Sequence, residues 1–269
     1  MSAPIADSPA AKRVAIVTGA AGDLGRAIAL RLASDGLDVA ITDLPSQSSK
    51  LCVVAGEVRE KGVRCLPLTG DVTVQADVEK LVSDTVRELG GLDVMVANVG
   101  IFQPRPLLEL SVEEWDYHQR TNTLSCLLCY QAAARQMVAQ GRGGRLIGGC
   151  SVAGLTGAAL CSAYCASKFA IRGLTMCAAQ ELGAHGVTVN AYAPGFIEGT
   201  KMVHTFENEG AAMMGLTPEQ WRGAADGMFP MKRLGKPEEI GAIVSYFASE
   251  AAGWTTGQVF SVNGGMHIS

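Results

Sequence analysis

The sequence lacks any cluster of lysine and arginine residues, and its formal net charge is −4. Proteins that hold nucleic acid through the phosphate backbone need a basic patch or stripe for that purpose. The charge pattern therefore argues against a nucleic-acid partner.

Long apolar segments of the kind that enter a membrane are also missing. The first 13 residues, MSAPIADSPAAKR, are small and polar, so we expect no signal peptide and a flexible N-terminal arm over residues 1–11. The uncharged run over residues 146–167 is long enough to span a bilayer, but its glycine, serine and threonine residues are typical of a strand followed by a loop. We expect a cytoplasmic protein without membrane contact.

Cysteine pairs at metal-ligand spacing are scarce, although the chain has 8 cysteines. Cys126 and Cys129 form one CxxC, and no second pair follows at zinc-finger spacing. The surrounding residues, TLSCLLCYQAAA, are apolar and helical in pattern. A redox or metal site is one interpretation; we favour small buried side chains in a reducing compartment and expect no metal.

Repeats, low-complexity tracts and interdomain linkers are absent, which predicts one domain over residues 12–269. Short apolar runs alternate with longer amphipathic segments. The strand candidates are 13–18, 38–43, 63–68, 92–98, 144–149, 187–192 and 258–262, and the helix candidates are 23–35, 46–61, 75–89, 112–140, 162–184 and 237–249. This alternation predicts an α/β fold, a doubly wound, Rossmann-type parallel sheet of seven strands with helices on both faces.

Two helix starts carry a capping pattern. Ser111 followed by Glu114 predicts a capping box before the EEWDYHQR segment. Thr217, Pro218 and Gln220 predict an N-cap, a first-turn proline and a capping glutamine, so a short helix is expected there.

The first predicted strand runs into a glycine-rich turn, TGAAGDLG, that opens a helix. Glycines let the backbone approach a pyrophosphate, and the helix N-terminus offers free N–H groups. Asp43 ends the second predicted strand, where a carboxylate accepts hydrogen bonds from ribose hydroxyls and repels a 2′-phosphate. With no Arg or Lys in the turn before Gly25, the pattern favours NAD over NADP; a plain turn residue before Pro45 is the other interpretation of Asp43.

Tyr164 and Lys168 are four residues apart on a predicted helix and so share a face. A free phenol has a pKa of about 10, which a nearby ammonium and an oxidised nicotinamide lower by stabilising the phenolate. The same spacing arises by chance on amphipathic helices whose lysines reach to solvent. Because Ser151 precedes Tyr164 by 13 positions and the glycine turn lies upstream, the set predicts a catalytic group.

In this order, the glycine turn, Asp71-Val72, ANVG at 97–100, Ser151, YCASK at 164–168 and APG at 193–195 make the chain resemble the short-chain dehydrogenase/reductase family. The resemblance runs from about residue 12 to the C-terminus. Within the family, the CSVAG, AYCASKFAIRGLT and VTVNAYAPG stretches are similar to acetoin/2,3-butanediol dehydrogenases, 3-oxoacyl-carrier-protein reductases and other secondary-alcohol dehydrogenases. The resemblance implies hydride transfer between a nicotinamide cofactor and an alcohol or ketone.

The resemblance also implies individual roles. Tyr164 would protonate the carbonyl oxygen, Ser151 would hold that oxygen, and Lys168 would assist Tyr164 and bind the nicotinamide ribose. Asn122 would link Lys168 to solvent water as a proton relay. The implied cofactor site consists of Gly19, Gly22, Asp23, Leu24, Gly25, Asp43, Asp71, Val72, Asn98, Gly100, Tyr164, Lys168, Pro194, Gly195 and Ile197.

Several positions depart from the family pattern. They are Asp23 where the second glycine is expected, Ala97 in place of the first asparagine of the strand-four motif, Val152 where the diol enzymes often have glutamine, Thr200 one residue late after Pro194-Gly195, and Asn263 in place of aspartate. Asp23 near a pyrophosphate is unfavourable unless it points away or stabilises the helix start. Val152 argues against a small polar diol.

The stretch 200–230 interrupts the alternation of strands and helices and is rich in methionine and aromatic residues. It could be core, but its position after APG predicts a lid over the nicotinamide. Methionine adapts to apolar ligands of irregular shape. The predicted substrate contacts are Val152, Met202, Phe206 and Met214, and we expect a secondary alcohol or ketone with an apolar or cyclic body.

Other functions stay open at this point. An acetoin or diol dehydrogenase is one, and a 3-oxoacyl-carrier-protein reductase is another, for which Lys201, Lys232 and Arg233 would serve as basic contacts. A non-catalytic nucleotide-binding regulator on the same fold is a third. The apolar and small residues on several faces of helices 112–140 and 162–184 predict a homodimer or homotetramer.

Overall fold

Seven short runs of aliphatic and β-branched residues form one parallel sheet in the computed structural model, which describes residues 12–268. The strands are β1 (Val14–Thr18), β2 (Asp38–Asp43), β3 (Cys65–Thr69), β4 (Val94–Ala97), β5 (Gly144–Gly149), β6 (Val187–Pro194) and β7 (Val259–Val262). Their order is β3-β2-β1-β4-β5-β6-β7. The central strands are buried on both faces, which is why they are apolar without alternation. The predicted fold class is confirmed.

Ten α-helical segments lie between the strands in the described part of the chain. They are α1 (Asp23–Ser34), α2 (Ser48–Arg59), α3 (Gln75–Leu89), α4 (Val112–His118), α5 (Ser125–Gln140), α6 (Ser162–Leu182), α7 (Lys201–Thr205), α8 (Ala211–Met213), α9 (Pro218–Met228) and α10 (Pro237–Ala248). Both predicted capping boxes, Ser111 with Glu114 and Thr217 with Gln220, are confirmed. Among residues 12–268, every helix is too short or too polar to cross a bilayer.

The sheet is covered on both faces by separate apolar layers. Val78 of α3, Met137 of α5 and Ile171 of α6 pack together on one face. Ile28 of α1 and Phe247 of α10 pack on the other, with residues of α2. The strand order reverses between β1 and β4, and that reversal is where ligands bind in open α/β sheets.

A π-helical turn at residues 119–124 joins α4 to α5, so the predicted run 112–140 is one continuous helical stretch. Such turns widen a helix locally and recur at functional sites. Asn122 lies within this turn and is fully buried.

The 200–230 stretch contains α7, a second π-helical turn (Phe206–Gly210), α8 and α9. Trp221 and Phe229, each 1 % exposed, lie in a small apolar cluster that this stretch forms together with Leu234. The stretch is therefore a small packed unit, and its role as a lid stays a prediction. The expected arm over residues 1–11 lies outside the described residues.

Candidate active site

The glycine turn between β1 and α1 is fixed by close backbone contacts. A Cβ on Gly25 would lie 2.1 Å from the carbonyl oxygen of Gly19, so only glycine fits there. Gly19 has a φ of +66°, which also favours glycine. Gly22 is the exposed N-cap of α1, and the first turn beyond it leaves backbone N–H groups without intrahelical partners. This cradle fits the pyrophosphate of a dinucleotide.

Asp23 is the first residue of α1 and is exposed. The turn accommodates the missing second glycine by placing Gly22 at the N-cap, where an added Cβ would meet only the Gly19 oxygen at 3.4 Å. A carboxylate in the first turn interacts favourably with the positive end of the helix dipole. Asp23 is thereby tolerated next to an anion site.

Asp43 links the end of β2 to the glycine turn. Its Oδ2 accepts a hydrogen bond from the Ala21 N–H at 3.0 Å, and its Oδ1 accepts one from the Leu44 N–H at 2.9 Å. Each carboxylate oxygen can accept a further bond. Asp43 therefore lies beside the glycine turn, and its ribose-reading role stays a prediction.

Asp71 and Val72 follow β3 at the same edge of the sheet. Asp71 Oδ1 accepts a hydrogen bond from the Thr73 N–H at 2.8 Å, and its own N–H donates to Asp77 Oδ2 at 2.8 Å. Val72 is 7 % exposed. These bonds hold the loop that is predicted to face the adenine.

Asn98 connects three strands through its side chain. Its Nδ2 donates to the Thr18 carbonyl oxygen at 2.9 Å, and its Oδ1 accepts from the Tyr192 hydroxyl at 2.8 Å. Its backbone N–H donates to the Thr18 hydroxyl at 3.0 Å. Asn98 thus braces β1, β4 and β6 at the base of the crevice, and its amide is occupied by protein partners.

Ser151, Tyr164 and Lys168 come together at the carboxyl end of β5. Ser151 follows the strand, and its hydroxyl accepts a hydrogen bond from the Ala153 N–H at 3.1 Å and lowers the pKa of the Tyr164 phenol. Lys168 is 3 % exposed and its Nζ donates to the Gly149 carbonyl oxygen at 2.7 Å. Gly100 permits this approach, because a Cβ there would lie 3.1 Å from Lys168 Nζ.

The acidity of Tyr164 depends on burial and on the neighbouring side chains. Burial raises the pKa of the Tyr164 phenol above its usual value, and the hydrogen bond with Ser151 acts in the opposite direction. Burial also lowers the pKa of the Lys168 ammonium. Lys168 Nζ lies 5.6 Å from the centre of the Tyr164 ring and bonds to Gly149. The expectation that Lys168, together with an oxidised nicotinamide, makes the phenol acidic stays a prediction.

Asn122 holds the segment after β4. Its Oδ1 accepts from the Ile101 N–H at 2.7 Å, and its Nδ2 donates to the Ile101 carbonyl oxygen at 3.0 Å. Nδ2 also donates to the Ser167 hydroxyl at 2.9 Å. Asn122 therefore joins the Ile101 segment to α6, and its predicted proton-relay role toward Lys168 stays a prediction.

Aromatic and sulfur-containing side chains lie beside Tyr164. The Phe102 ring meets the Tyr164 ring edge-on, with centroids 5.2 Å apart, and stacks on the Phe206 ring at 5.5 Å. Met202 Sδ lies 3.9 Å from the Tyr164 hydroxyl oxygen. The sequence analysis missed Phe102. The available signal was its position two residues after Gly100, which is the last residue of the strand-four motif.

The predicted substrate residues occupy different environments. Met202 and Phe206 lie next to Tyr164 or its aromatic neighbours. Val152 follows Ser151 and is half-buried. Met214 is 42 % exposed and belongs to neither apolar cluster that contains Phe206. Met202 and Phe206 thus lie beside Tyr164, Met214 lies apart from it, and the substrate contacts stay predictions.

The segment after β6 carries the shifted threonine. Thr200 Oγ1 donates to the Ile197 carbonyl oxygen at 2.8 Å and caps α7 by accepting from the Val203 N–H at 3.4 Å. Ile197 is 4 % exposed, and a Cβ on Gly195 would lie 3.0 Å from the Phe229 ring. Pro194 ends β6. The one-residue shift thus converts the threonine into the N-cap of the first helix of the 200–230 stretch.

Cys126 and Cys129 lie inside α5 and are 2 % and 1 % exposed. Burial raises the pKa of the Cys126 thiol to about 12, so it stays protonated. Among residues 12–268, no group of three or more histidine, cysteine, aspartate or glutamate side chains is arranged to hold a metal ion. Cys126 and Cys129 are therefore packing residues of the protein interior.

Comparison with known proteins agrees with this geometry. A model of the short chain dehydrogenase family matches residues 13–210. The chain is 45 % identical over 257 residues to short-chain dehydrogenase/reductase eriH of Hericium erinaceus, covering 95 % of this chain and 98 % of that protein. It is 37 % identical over 254 residues to L-2,3-butanediol dehydrogenase of Corynebacterium glutamicum, covering 94 % and 98 %.

A solved structure shares the whole architecture. Acetoin dehydrogenase YohF from Salmonella typhimurium superimposes with a TM-score of 0.81 at 32 % identity, covering 95 % of this chain and 97 % of that one. The fold, the position of Ser151, Tyr164 and Lys168, and these likenesses lead to one assignment. The chain belongs to the short-chain dehydrogenase/reductase family of nicotinamide-dependent oxidoreductases.

Proposed function

We propose that this protein is an NAD-dependent oxidoreductase that interconverts a secondary alcohol with an apolar or cyclic body and the corresponding ketone. The observation that carries the proposal is the grouping of Ser151, Tyr164 and Lys168 beyond the carboxyl end of β5, where the Ser151 hydroxyl lowers the pKa of the Tyr164 phenol and Lys168 Nζ lies 5.6 Å from the centre of the Tyr164 ring. The two hydroxyls, near the dinucleotide cradle, form a site for one carbonyl oxygen.

The proposed chemistry follows from the protein groups at this site. Ser151 holds the substrate oxygen, and Tyr164 donates a proton to it during ketone reduction or removes the alcohol proton during oxidation. The nicotinamide cofactor, when bound, supplies or accepts the hydride and in its oxidised form adds positive charge beside the phenol. Lys168, anchored on the Gly149 carbonyl oxygen at 2.7 Å, holds its ammonium 5.6 Å from the centre of the Tyr164 ring and would also bind the nicotinamide ribose.

A raised pKa for the Tyr164 phenol supports its role as a proton donor at neutral pH. The phenol stays protonated there, which is the form that ketone reduction requires. Alcohol oxidation requires the phenolate and therefore benefits from alkaline conditions or from added positive charge near the ring.

Two observations support NAD as the cofactor. The Asp43 carboxylate lies against the glycine turn, where it would repel a 2′-phosphate. Arg26, the first basic residue of α1, is paired with Glu57 at 2.7 Å and is thereby drawn away from a phosphate. Both features favour a free 2′-hydroxyl.

The apolar character of the proposed substrate is supported by Phe102, Met202 and Phe206 around the Tyr164 hydroxyl. A diol or acetoin is the second candidate, because the likeness to L-2,3-butanediol dehydrogenase covers 94 % of the chain. A carrier-protein substrate has less support, since Arg233 is paired with Glu239 at 2.6 Å. A non-catalytic regulator would not need Ser151, Tyr164 and Lys168 in one place.

We also propose a homo-oligomer, a dimer or a tetramer. Large apolar side chains are exposed on α4 and α6, among them Tyr117 at 51 %, Phe169 at 43 % and Met176 at 47 %. Apolar patches of this kind mark protein contacts. The described cysteines are all unpaired thiols, which supports a reducing, cytoplasmic setting.

A panel assay tests the proposed function. Oxidation of butan-2-ol, acetoin, cyclohexanol and 1-phenylethanol is followed by the absorbance of reduced nicotinamide, with NAD and with NADP. The proposal expects turnover of the cyclic or aromatic alcohols and faster reaction with NAD. Turnover of acetoin alone, or a preference for NADP, would contradict it.

A further inference from the structure

Phe102 is held more rigidly than its place in a loop suggests. On one side, the backbone of Ile101 is bound by both polar atoms of the Asn122 side chain, at 2.7 and 3.0 Å. On the other side, the Gln103 N–H donates to His118 Nε2 at 3.3 Å. The residues before and after Phe102 are thus both tied to the α4–α5 stretch.

His118 is itself held in one tautomer. Its Nδ1 lies 2.8 Å from the Glu114 carbonyl oxygen, which can only accept, so the proton is on Nδ1. Nε2 is then free to accept from the Gln103 N–H. His118 is 1 % exposed. Two buried side chains, Asn122 and His118, therefore fix the backbone on either side of Phe102.

The partner of Phe102 belongs to the 200–230 stretch. Phe206 stacks on Phe102, with an interplanar angle of 23°, and its ring is backed by Phe196 at 5.5 Å and Trp221 at 5.6 Å. Gly210 leaves room for it, since a Cβ there would lie 3.2 Å from the Phe206 ring. The stack of Phe102 and Phe206 therefore connects the segment held by Asn122 and His118 to the 200–230 stretch.

This stack lies beside the reacting position. Phe102 contacts the Tyr164 ring edge-on, and both phenylalanines share an apolar cluster with Tyr164, Ala153 and Cys161. A substrate whose oxygen meets the Ser151 and Tyr164 hydroxyls places the substituents of its reacting carbon next to these rings. Aromatic surfaces favour flat rings at offset or edge-on geometry with centroids about 4.5–7 Å apart.

We infer that Phe102 is a specificity-determining residue and that it selects alcohols and ketones carrying a planar ring on the reacting carbon. The inference rests on the proposed function, and it narrows the substrate class from apolar to aryl or similarly flat. The strand-four motif ends at Gly100, so it indicates neither the stacking of Phe102 nor this preference.

The experiment compares three alcohols with the same reacting group: 1-phenylethanol, 1-cyclohexylethanol and butan-2-ol. Phe102→Ala is expected to raise the KM for 1-phenylethanol about tenfold and to change the KM for butan-2-ol by less than about twofold, because ring contacts are worth about that much. Phe102→Leu keeps most of the side-chain volume but lacks the aromatic ring. It should therefore bring the KM for 1-cyclohexylethanol back to the wild-type value, while the KM for 1-phenylethanol stays raised. Phe260→Ala, on an exposed ring of β7, is the matched control and should change none of these values.

An equal rise in KM for all three alcohols, or an equal fall in kcat, would overturn the inference, because Phe102 would then only support Tyr164. A wild-type preference for butan-2-ol would overturn it as well. Melting curves show whether Phe102→Ala is folded. If it is unfolded, the KM values of Phe102→Leu decide the test in its place.

Calorimetry separates this inference from the proposed function. Binding of acetophenone and of butanone is measured on the wild type and on Phe102→Ala in the presence of NADH. Tighter binding of acetophenone that is lost in Phe102→Ala supports the inference even without turnover, whereas equal binding of both ketones overturns it. Absence of turnover with all the alcohols would contradict only the proposed function.

Discussion

The ammonium of Lys168 lies beneath the Tyr164 ring, 5.6 Å from its centre, and its hydrogen bond goes to the Gly149 carbonyl oxygen. The lysine is therefore placed by the end of β5 and is not a direct partner of the phenol oxygen. The Ser151 hydroxyl lowers the pKa of that phenol, while burial raises it. Ser151 and burial thus act on the proton of Tyr164 in opposite directions.

The raised pKa of Tyr164 predicts opposite pH profiles for the two directions. Reduction uses the protonated phenol, so its rate stays level through neutral pH and falls only under alkaline conditions. Oxidation uses the phenolate, so its rate increases as the pH rises above neutrality. Initial rates over a pH series, with chemistry rate-limiting, check this; an oxidation rate that peaks below neutral pH would be inconsistent with it.

Ser151→Ala sharpens the same test. The Ser151 hydrogen bond lowers the pKa of Tyr164, so its removal should move the midpoint of the oxidation profile to higher pH, in addition to lowering kcat by about a hundredfold or more. Ser162→Ala, a neighbouring hydroxyl without an assigned role, serves as the control. An unchanged midpoint in Ser151→Ala would separate Ser151 from the titration of Tyr164.

Asp43→Ser is expected to reduce the preference for NAD over NADP by about tenfold or more, because it removes the charge that repels a 2′-phosphate. The ratio of kcat/KM for the two cofactors is the measurement. Asp35→Asn, which changes an exposed carboxylate paired with Arg31, is the control. If the ratio stays at the wild-type value in Asp43→Ser, the Asp43 carboxylate is only a brace for the glycine turn.

Gln140 makes the same kind of backbone contacts as Asn122, but at the amino end of β4 instead of its carboxyl end. Gln140 binds the backbone N–H and carbonyl oxygen of Leu92, both at 2.8 Å, as Asn122 binds those of Ile101. Asn122→Ala and Gln140→Ala should each lower the free energy of unfolding by about 2 kcal/mol, since each leaves backbone groups unpaired. Chemical denaturation measures this loss.

Only one of these two variants should change the chemistry. Asn122→Ala releases the segment before Phe102, so kcat/KM for 1-phenylethanol should fall, while Gln140→Ala should keep the wild-type value. Equal losses of activity in both variants would point to general destabilisation, and Asn122 would lose its positioning role.

Much of the fold was predictable because its signals are local. The glycine turn, the capping box at Ser111 and the alternation of apolar runs with amphipathic segments depend on neighbouring residues, and the structure reproduces them with shifts of a few residues at the ends. Tyr164 and Lys168 were placed together by helix periodicity alone.

Other features depend on contacts between distant segments and left little trace in the sequence. The direction of the Lys168 side chain is set by a carbonyl group of β5, and the stacking of Phe102 on Phe206 joins residues more than a hundred positions apart. Met214 was chosen for its side-chain type, and its exposure was not readable from composition. The sequence shows that Thr200 lies one residue later than in the family pattern, but its hydrogen bond as the N-cap of α7 is visible only in the structure.

Tyr164→Phe provides the most direct test of the account. The substitution removes only the hydroxyl oxygen, so we expect turnover of every active alcohol to fall by about a thousandfold or more, while the dissociation constant for NADH, from fluorescence titration, changes by less than about threefold. Turnover close to the wild-type rate in Tyr164→Phe would contradict the assignment of Tyr164 as the proton donor and, with it, the proposed chemistry.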